Sequence, residues 1–243
     1  HHWQITNRTV PRAYYTEPPH SAVVILQAGV GRITTLPPEL ADPNSRAARR
    51  PGYRDDRPDL GERELLNPAL ATVFDIPYAD GYKQGLVTPS TLKIWENYRH
   101  YGSQAFSGIY SVSAATVELY GTPVQRMKRM HELCAIQYIV TTGELADPDL
   151  EVVSEGRVRV YRYRAARPRA WLALRPITIA DPQEQLEAVK RRDFDPRRDV
   201  VVDQSCSVPE DATAGTVNML ASGGGRVVVQ VDSPRGGVLV LAD

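Results

Sequence analysis

Lysine and cysteine are scarce in this 243-residue chain, and neither sign of charge is in excess. The 29 basic residues are matched by 29 acidic ones and the pI lies near 7.1. That balance excludes the basic excess of a nucleic-acid-binding face and the acidic excess of a disordered chain. The only cysteines are Cys134 and Cys206, which fit neither a disulfide scaffold nor a zinc site. Cys134, within Leu133-Cys134-Ala135-Ile136, reads as a buried, inert thiol. A long apolar run is also missing. The longest uncharged stretch, Tyr101 to Val117, is broken by serines, Gln104 and Thr116, whereas a bilayer span needs about 20 mostly apolar residues. Of the 29 basic residues only Lys83, Lys93, Lys128 and Lys190 are lysines, leaving 25 arginines. This skew is better read as the mark of a GC-rich genome than as an arginine-built binding face. The length allows one large domain or two modest ones, with a core that needs no metal or disulfide.

The periodicity predicts an α/β fold, a mixed sheet flanked by helices, followed by a small C-terminal all-β segment resembling part of a β-sandwich. Residues 1–20 read as a lead-in, with His1-His2 as a tag remnant. Residues 21–203 form the α/β part. Within it Ala22-Val23-Val24-Ile25-Leu26 reads as a strand buried on both faces. Residues 37–61 alternate prolines with arginines and aspartates, as in a long surface loop. Thr88-Pro89, Thr122-Pro123 and Asp181-Pro182 each open a helix, the last with Glu184 completing a capping box. Strands are expected at 32–35, 136–141, 150–153, 157–163, 171–174 and 200–202. On the 157–163 strand, Val158, Val160 and Tyr161 or Tyr163 mark the buried face, and the arginines at 157, 159, 162 and 164 the other. Residues 204–243 hold three strands (216–221, 226–231 and 237–241) in a β-meander pattern that ends part-way through a larger β unit.

The catalytic inventory is thin. His20, His100 and His131 form no metal-ligand grouping, His131-Glu132 lacks the second histidine of a zincin, and no GxSxG elbow is present. Gly29-Val30-Gly31 is followed by neither the helix nor the lysine that a phosphate loop requires. No catalytic residue, metal ligand or cofactor is assigned. One stretch differs. From Asn67-Pro68-Ala69-Leu70 through Asp75-Ile76-Pro77-Tyr78 to Asp80-Gly81-Tyr82, two carboxylates and two phenols surround a turn. Such groups can bind sugar hydroxyls while a tyrosine ring stacks on the pyranose face. Asp75 and Asp80 could equally be a glycosidase pair, or plain turn and cap chemistry. Asp75, Asp80, Tyr82, Trp95 and Tyr98 are the candidate glycan contacts.

The same stretch resembles the N-x-A…D-x-x-G-Y segment of YfhO-type bacterial membrane proteins. Further matches follow in order: Leu133 to Thr141 is similar to the family's LLGVRYVVT strand, Gly156 to Tyr161 to GVRVYEN, and Arg167-Pro168-Arg169-Ala170-Trp171 to LPRAF. Asp193-Phe194-Asp195-Pro196-Arg197-Arg198 resembles DFDPRR, and Ser233 to Asp243 the family's SPGPGLLVLAD. Thr72-Val73-Phe74 departs from the family's glycine region before Asp75. The resemblance implies a parent with many transmembrane helices that transfers sugars from lipid-phosphate donors outside the cytoplasm, its catalytic carboxylate lying in a region this chain does not include. This chain would then be its extracytoplasmic soluble domain on the bacterial cytoplasmic membrane. It would not itself be catalytic, and would assist in positioning a cell-envelope glycan or glycolipid acceptor. The alternative is a protein–protein assembly module of an envelope complex. Neither involves nucleic acid or a cofactor.

Overall fold

The computed structural model describes residues 12–29, 31–36, 63–66, 68–79, 118–119, 123–223 and 226–242. Its centre is a four-stranded mixed sheet of β1 (Arg32–Leu36), β2 (Ile136–Thr141), β4 (Arg159–Tyr163) and β3 (Leu150–Ser154), in the spatial order β1-β2-β4-β3. β1 runs parallel to β2, and the other two pairings are antiparallel. α1 (Ala13–Thr16) precedes α2 (His20–Ala28), and α3 (Pro68–Val73) and α4 (Pro123–Leu133) lie between β1 and β2 in sequence. Both faces of the sheet are covered. Ala22 and Ile25 of α2, with Leu66, Leu70 and Ile76, pack on Ile33, Tyr138, Val140 and Val160. On the opposite face Met127 and Met130 of α4 pack on Ile136, Ile139 and Tyr161.

The apolar run at 22–26 is therefore helix, not the expected strand. Ser21, Ala22 and Ile25 are buried while Leu26 and Gln27 are exposed, a one-sided pattern that a strand covered on both faces would not show. A run this short cannot distinguish the two by periodicity. Pro19 offers no side-chain cap. Instead the Glu64 carboxylate accepts from the His20 and Ser21 backbone N–H groups at 3.1 and 3.0 Å, satisfying donors that the first helical turn leaves open. At the other end Tyr138 Oη donates to the Gly29 carbonyl (2.8 Å), and Arg162 Nη2 to that of Ala28 (2.9 Å). The lead-in is anchored too, by the Arg63 guanidinium donating to the carbonyls of Ala13, Tyr14 and Glu17.

The glycine pair after α2 has a structural explanation. Gly29 adopts φ +106°, and Gly31 leaves room for the side chain of Gln137. Gln137 is the extra residue of a bulge in β2, since Arg32 pairs with Ile136 and Ile33 with Tyr138. A Cβ on Gly31 would stand 1.9 Å from Gln137 Oε1 and 2.9 Å from its Cβ. Gly31→Ala is expected to cost about 1–3 kcal/mol, as overpacking does, which urea unfolding would measure.

The helices predicted from 123 and 182 are present. α5 (Pro182–Lys190) is capped by the Asp181 carboxylate, which accepts from the N–H groups of Gln183 and Glu184. The helix expected from Thr88 lies outside the described residues, as do the loop residues 37–61. Cys134 is half-buried rather than buried, Cys206 is exposed, and no disulfide joins them. The arginines of β4 do not share one face. Val160 and Arg162 point to the α2 side, where the Arg162 guanidinium sits 5.7 Å from the centre of the Tyr138 ring. Arg159, Tyr161 and Tyr163 take the other side by alternation, and both tyrosines are buried.

The remaining strands form three pairs. β5 (Ala170–Ala173) runs antiparallel to β10 (Val238–Leu241), β6 (Arg175–Thr178) runs parallel to β7 (Asp199–Val202) across α5, and β8 (Thr216–Gly223) pairs with β9 (Arg226–Asp232) as a hairpin. A mixed sheet flanked by helices and followed by a β-rich C-terminal part is thus the architecture. The expected meander is not formed. β10 leaves the β8–β9 hairpin, turning through Gly236 (φ +85°), and joins β5, with the Ala242 N–H donating to the Arg169 carbonyl at 2.8 Å.

Candidate functional site

Of the candidate glycan contacts, Asp75 is described; Asp80, Tyr82, Trp95 and Tyr98 lie outside the described residues. Asp75 terminates α3. The Ile76 N–H donates to the Ala71 carbonyl (3.0 Å) and the Asp75 N–H to that of Thr72 (3.2 Å), while Asp75 itself adopts φ +55°. These are the two hydrogen bonds and the left-handed residue of a Schellman motif, completed by apolar contact between Ile76 and Ala71 in the core. The Asp75 side chain is exposed. Beyond it the chain lies along the β1 edge: the Ile33 N–H donates to the Pro77 carbonyl (2.9 Å), the Ala79 N–H to that of Ile33 (2.8 Å), and the Thr35 N–H to Tyr78 Oη (3.2 Å). A carboxylate is therefore displayed to solvent from a backbone pinned on both sides. It can accept hydrogen bonds from two adjacent hydroxyls. Because a left-handed position favours glycine, Asp75→Gly is expected to leave the fold intact and to raise stability by up to about 1 kcal/mol, read as an upward shift of the thermal midpoint.

The segments that carry the family resemblance meet away from this turn. Arg167 Nη1 donates to the Pro196 carbonyl (2.9 Å), and its guanidinium lies 4.5 Å from the centre of the Trp171 ring. Arg32 Nη1 donates to the carbonyls of Cys134 (3.0 Å) and Ala242 (2.7 Å), joining the end of α4 to the C-terminal strand. Glu132 lies between Tyr163 Oη (3.5 Å) and Arg197 Nε (3.6 Å). Burial raises its carboxyl above the usual range against the pull of Arg197 and Arg167. Burial likewise raises the Tyr163 phenol, helped by the Glu132 charge. Of these contacts, the Glu132–Arg197 pair holds α4 to the 193–198 segment.

Two arrangements were not predicted. His20 Nε2 lies 3.2 Å from Ser154 Oγ, the spacing of a nucleophile and its base. However, the Glu64 carboxylate is engaged by the backbone of α2 rather than by the imidazole, so among the described residues no third group orients the pair. The second is a cleft of about 320 Å³ between the β6–β7 pair and α5. Its rim carries Arg175 and Arg191, paired with the buried Asp199 and the exposed Asp193, and its apolar floor is Ile177, Ile179, Ala188 and Phe194. Asp193 and Phe194 belong to a motif noted in the sequence, but the cleft is assembled from three elements and has no local signature.

Among the described residues no group of three or more His, Cys, Asp or Glu side chains could hold a metal ion, and no helix is long and apolar enough to cross a membrane. No protein-family model, curated protein or solved structure matches the chain.

Proposed function

We propose that this chain is the extracytoplasmic domain of a YfhO-like membrane glycosyltransferase, not itself catalytic, and that it helps position a cell-envelope glycan or glycolipid acceptor. The observation that carries this reading is the Asp75 carboxylate, exposed on a hydrogen-bonded Schellman turn at the sheet edge. In sequence it is followed by Asp80 and Tyr82, which complete a set of acceptors and a stacking ring. The shared order of the matching segments supports it further. Binding of the chain to an array of bacterial envelope oligosaccharides tests it: retention of specific glycans by the wild type and loss of that retention in Asp75→Gly are expected. A folded Asp75→Gly variant with unchanged retention would remove Asp75 from the site.

A second reading, an assembly module for envelope proteins, is favoured by one observation. Leu239 and Leu241 project from one face of β10, and Leu220, the bulged residue of β8, is 62% exposed. Co-purification of partner proteins that is lost on Leu239→Ser but kept in Asp75→Gly would favour assembly over glycan positioning.

A further inference from the structure

The cleft beneath α5 is independent of the Asp75 turn, and its chemistry is specific. Each guanidinium on its rim is engaged by a two-point fork, that of Arg175 with a buried carboxylate and that of Arg191 with an exposed one. Arg175 donates through Nε and Nη2 to the two Asp199 oxygens (2.5 and 2.6 Å), and Arg191 in the same way to Asp193 (3.1 and 3.2 Å). In both, Nη1 has no hydrogen-bond partner among the described residues, and both side chains are more than half exposed. The remaining Arg175 donor is therefore held by a buried partner, and both forks orient the free Nη1 groups that a ligand would engage.

The charges lining the cleft cancel, two cations against two carboxylates, so it favours neither an anion nor a cation. The exposed Asp193 carboxylate (72%) stands as an acceptor beside the Arg191 donors. Donor and acceptor forks side by side match vicinal hydroxyls, which accept from one and donate to the other. The apolar floor of Ile177, Ile179 and Phe194 matches the C–H face of a ring. A volume of about 320 Å³ lies at the lower end for small-molecule sites. We propose that this cleft binds a single neutral pyranose, as a free monosaccharide or the terminal unit of a glycan.

The test is a chemical-shift titration of the isotopically labelled chain with the methyl pyranosides of glucose, galactose, mannose and N-acetylglucosamine, with inorganic phosphate as the anionic control. At least one pyranoside is expected to give saturable shifts at Ile177, Ile179, Ala188 and Phe194. Asp193→Ala and Arg191→Met should each weaken that binding about fivefold, the loss of one net hydrogen bond, with little change in thermal midpoint because both side chains are exposed. Asp75→Gly should leave it unchanged. Shifts produced by phosphate alone, shifts confined to residues 75–79, or pyranoside binding insensitive to both cleft variants would each overturn the proposal. The second of these results would leave the Asp75 reading standing.

Discussion

Replacing Arg175 by methionine is expected to destabilise the protein by about 3 kcal/mol, a large effect for a side chain that is 57% exposed. The cost lies with its partner. The Asp199 side chain is fully buried and accepts from Arg175 Nε and Nη2 and from the Asp195 backbone N–H at 2.8 Å. Removing the guanidinium leaves an ionised carboxylate in the protein interior with one remaining hydrogen bond. Breaking a buried pair from one side typically costs 3–5 kcal/mol, whereas replacing both partners by apolar groups is often neutral. The double variant Arg175→Met/Asp199→Leu should therefore recover most of the loss and stay within about 1 kcal/mol of the wild type, the remainder being the orphaned Asp195 N–H. Urea unfolding of both variants measures this. A double variant less stable than the single one would show that Asp199 is held by interactions other than its ion pair.

The second large effect is on acid stability. His131 is completely buried beside the Tyr163 ring, with centroids 5.5 Å apart. Burial, with a smaller contribution from the Lys128 charge, lowers its pKa to about 3 against the opposing pull of Asp147. The unfolded imidazole takes up its proton near pH 6.5, so below that value the unfolded state binds more protons than the folded one. Stability from this group is complete above pH 6.5 and declines as pH falls toward 3, by about 1.4 kcal/mol per pH unit. Between pH 6.5 and 4 the loss amounts to about 3 kcal/mol. Glu132 works in the opposite sense. Its raised carboxyl gives the folded state the greater proton affinity, so it adds stability as pH falls through its folded pKa. The measurement is therefore a difference: unfolding free energy against pH for the wild type and for His131→Gln. The variant is expected to be less stable at pH 7 but to lose much less on acidification. Parallel curves would mean that His131 is protonated in the fold.

Elements whose signals are local were legible in the sequence. Asp181-Pro182 with Glu184 marked α5, and Thr122-Pro123 marked α4. Elements whose stability comes from distant partners were not. α2 is capped by Glu64, 43 residues beyond Ser21, so its apolar run carries no helix-start signal of its own. β6 contains Pro176 and exists because it pairs with β7 across α5, a pairing no property of Arg175-Pro176-Ile177-Thr178 announces. β10 resembles the third strand of a meander by spacing alone, but its partner, β5, lies some 65 residues earlier, Val238 opposite Ala173. The same division holds for the sites. Asp75 could be picked out as a cap by its place in the turn. The cleft under α5 could not, because its four charged groups stand on β6, on β7 and beyond the end of α5.

The glycan-positioning role is tested most directly by a chemical-shift titration of the labelled chain with the envelope oligosaccharides that it retains on an array, carried out in parallel on Asp75→Gly. The expected result is a saturable perturbation of residues 75–79 and of Ile33 and Thr35 on β1, absent in the variant although its spectrum is otherwise that of a folded protein. No perturbation of these residues in the wild type, or the same perturbation in both proteins, would contradict the role.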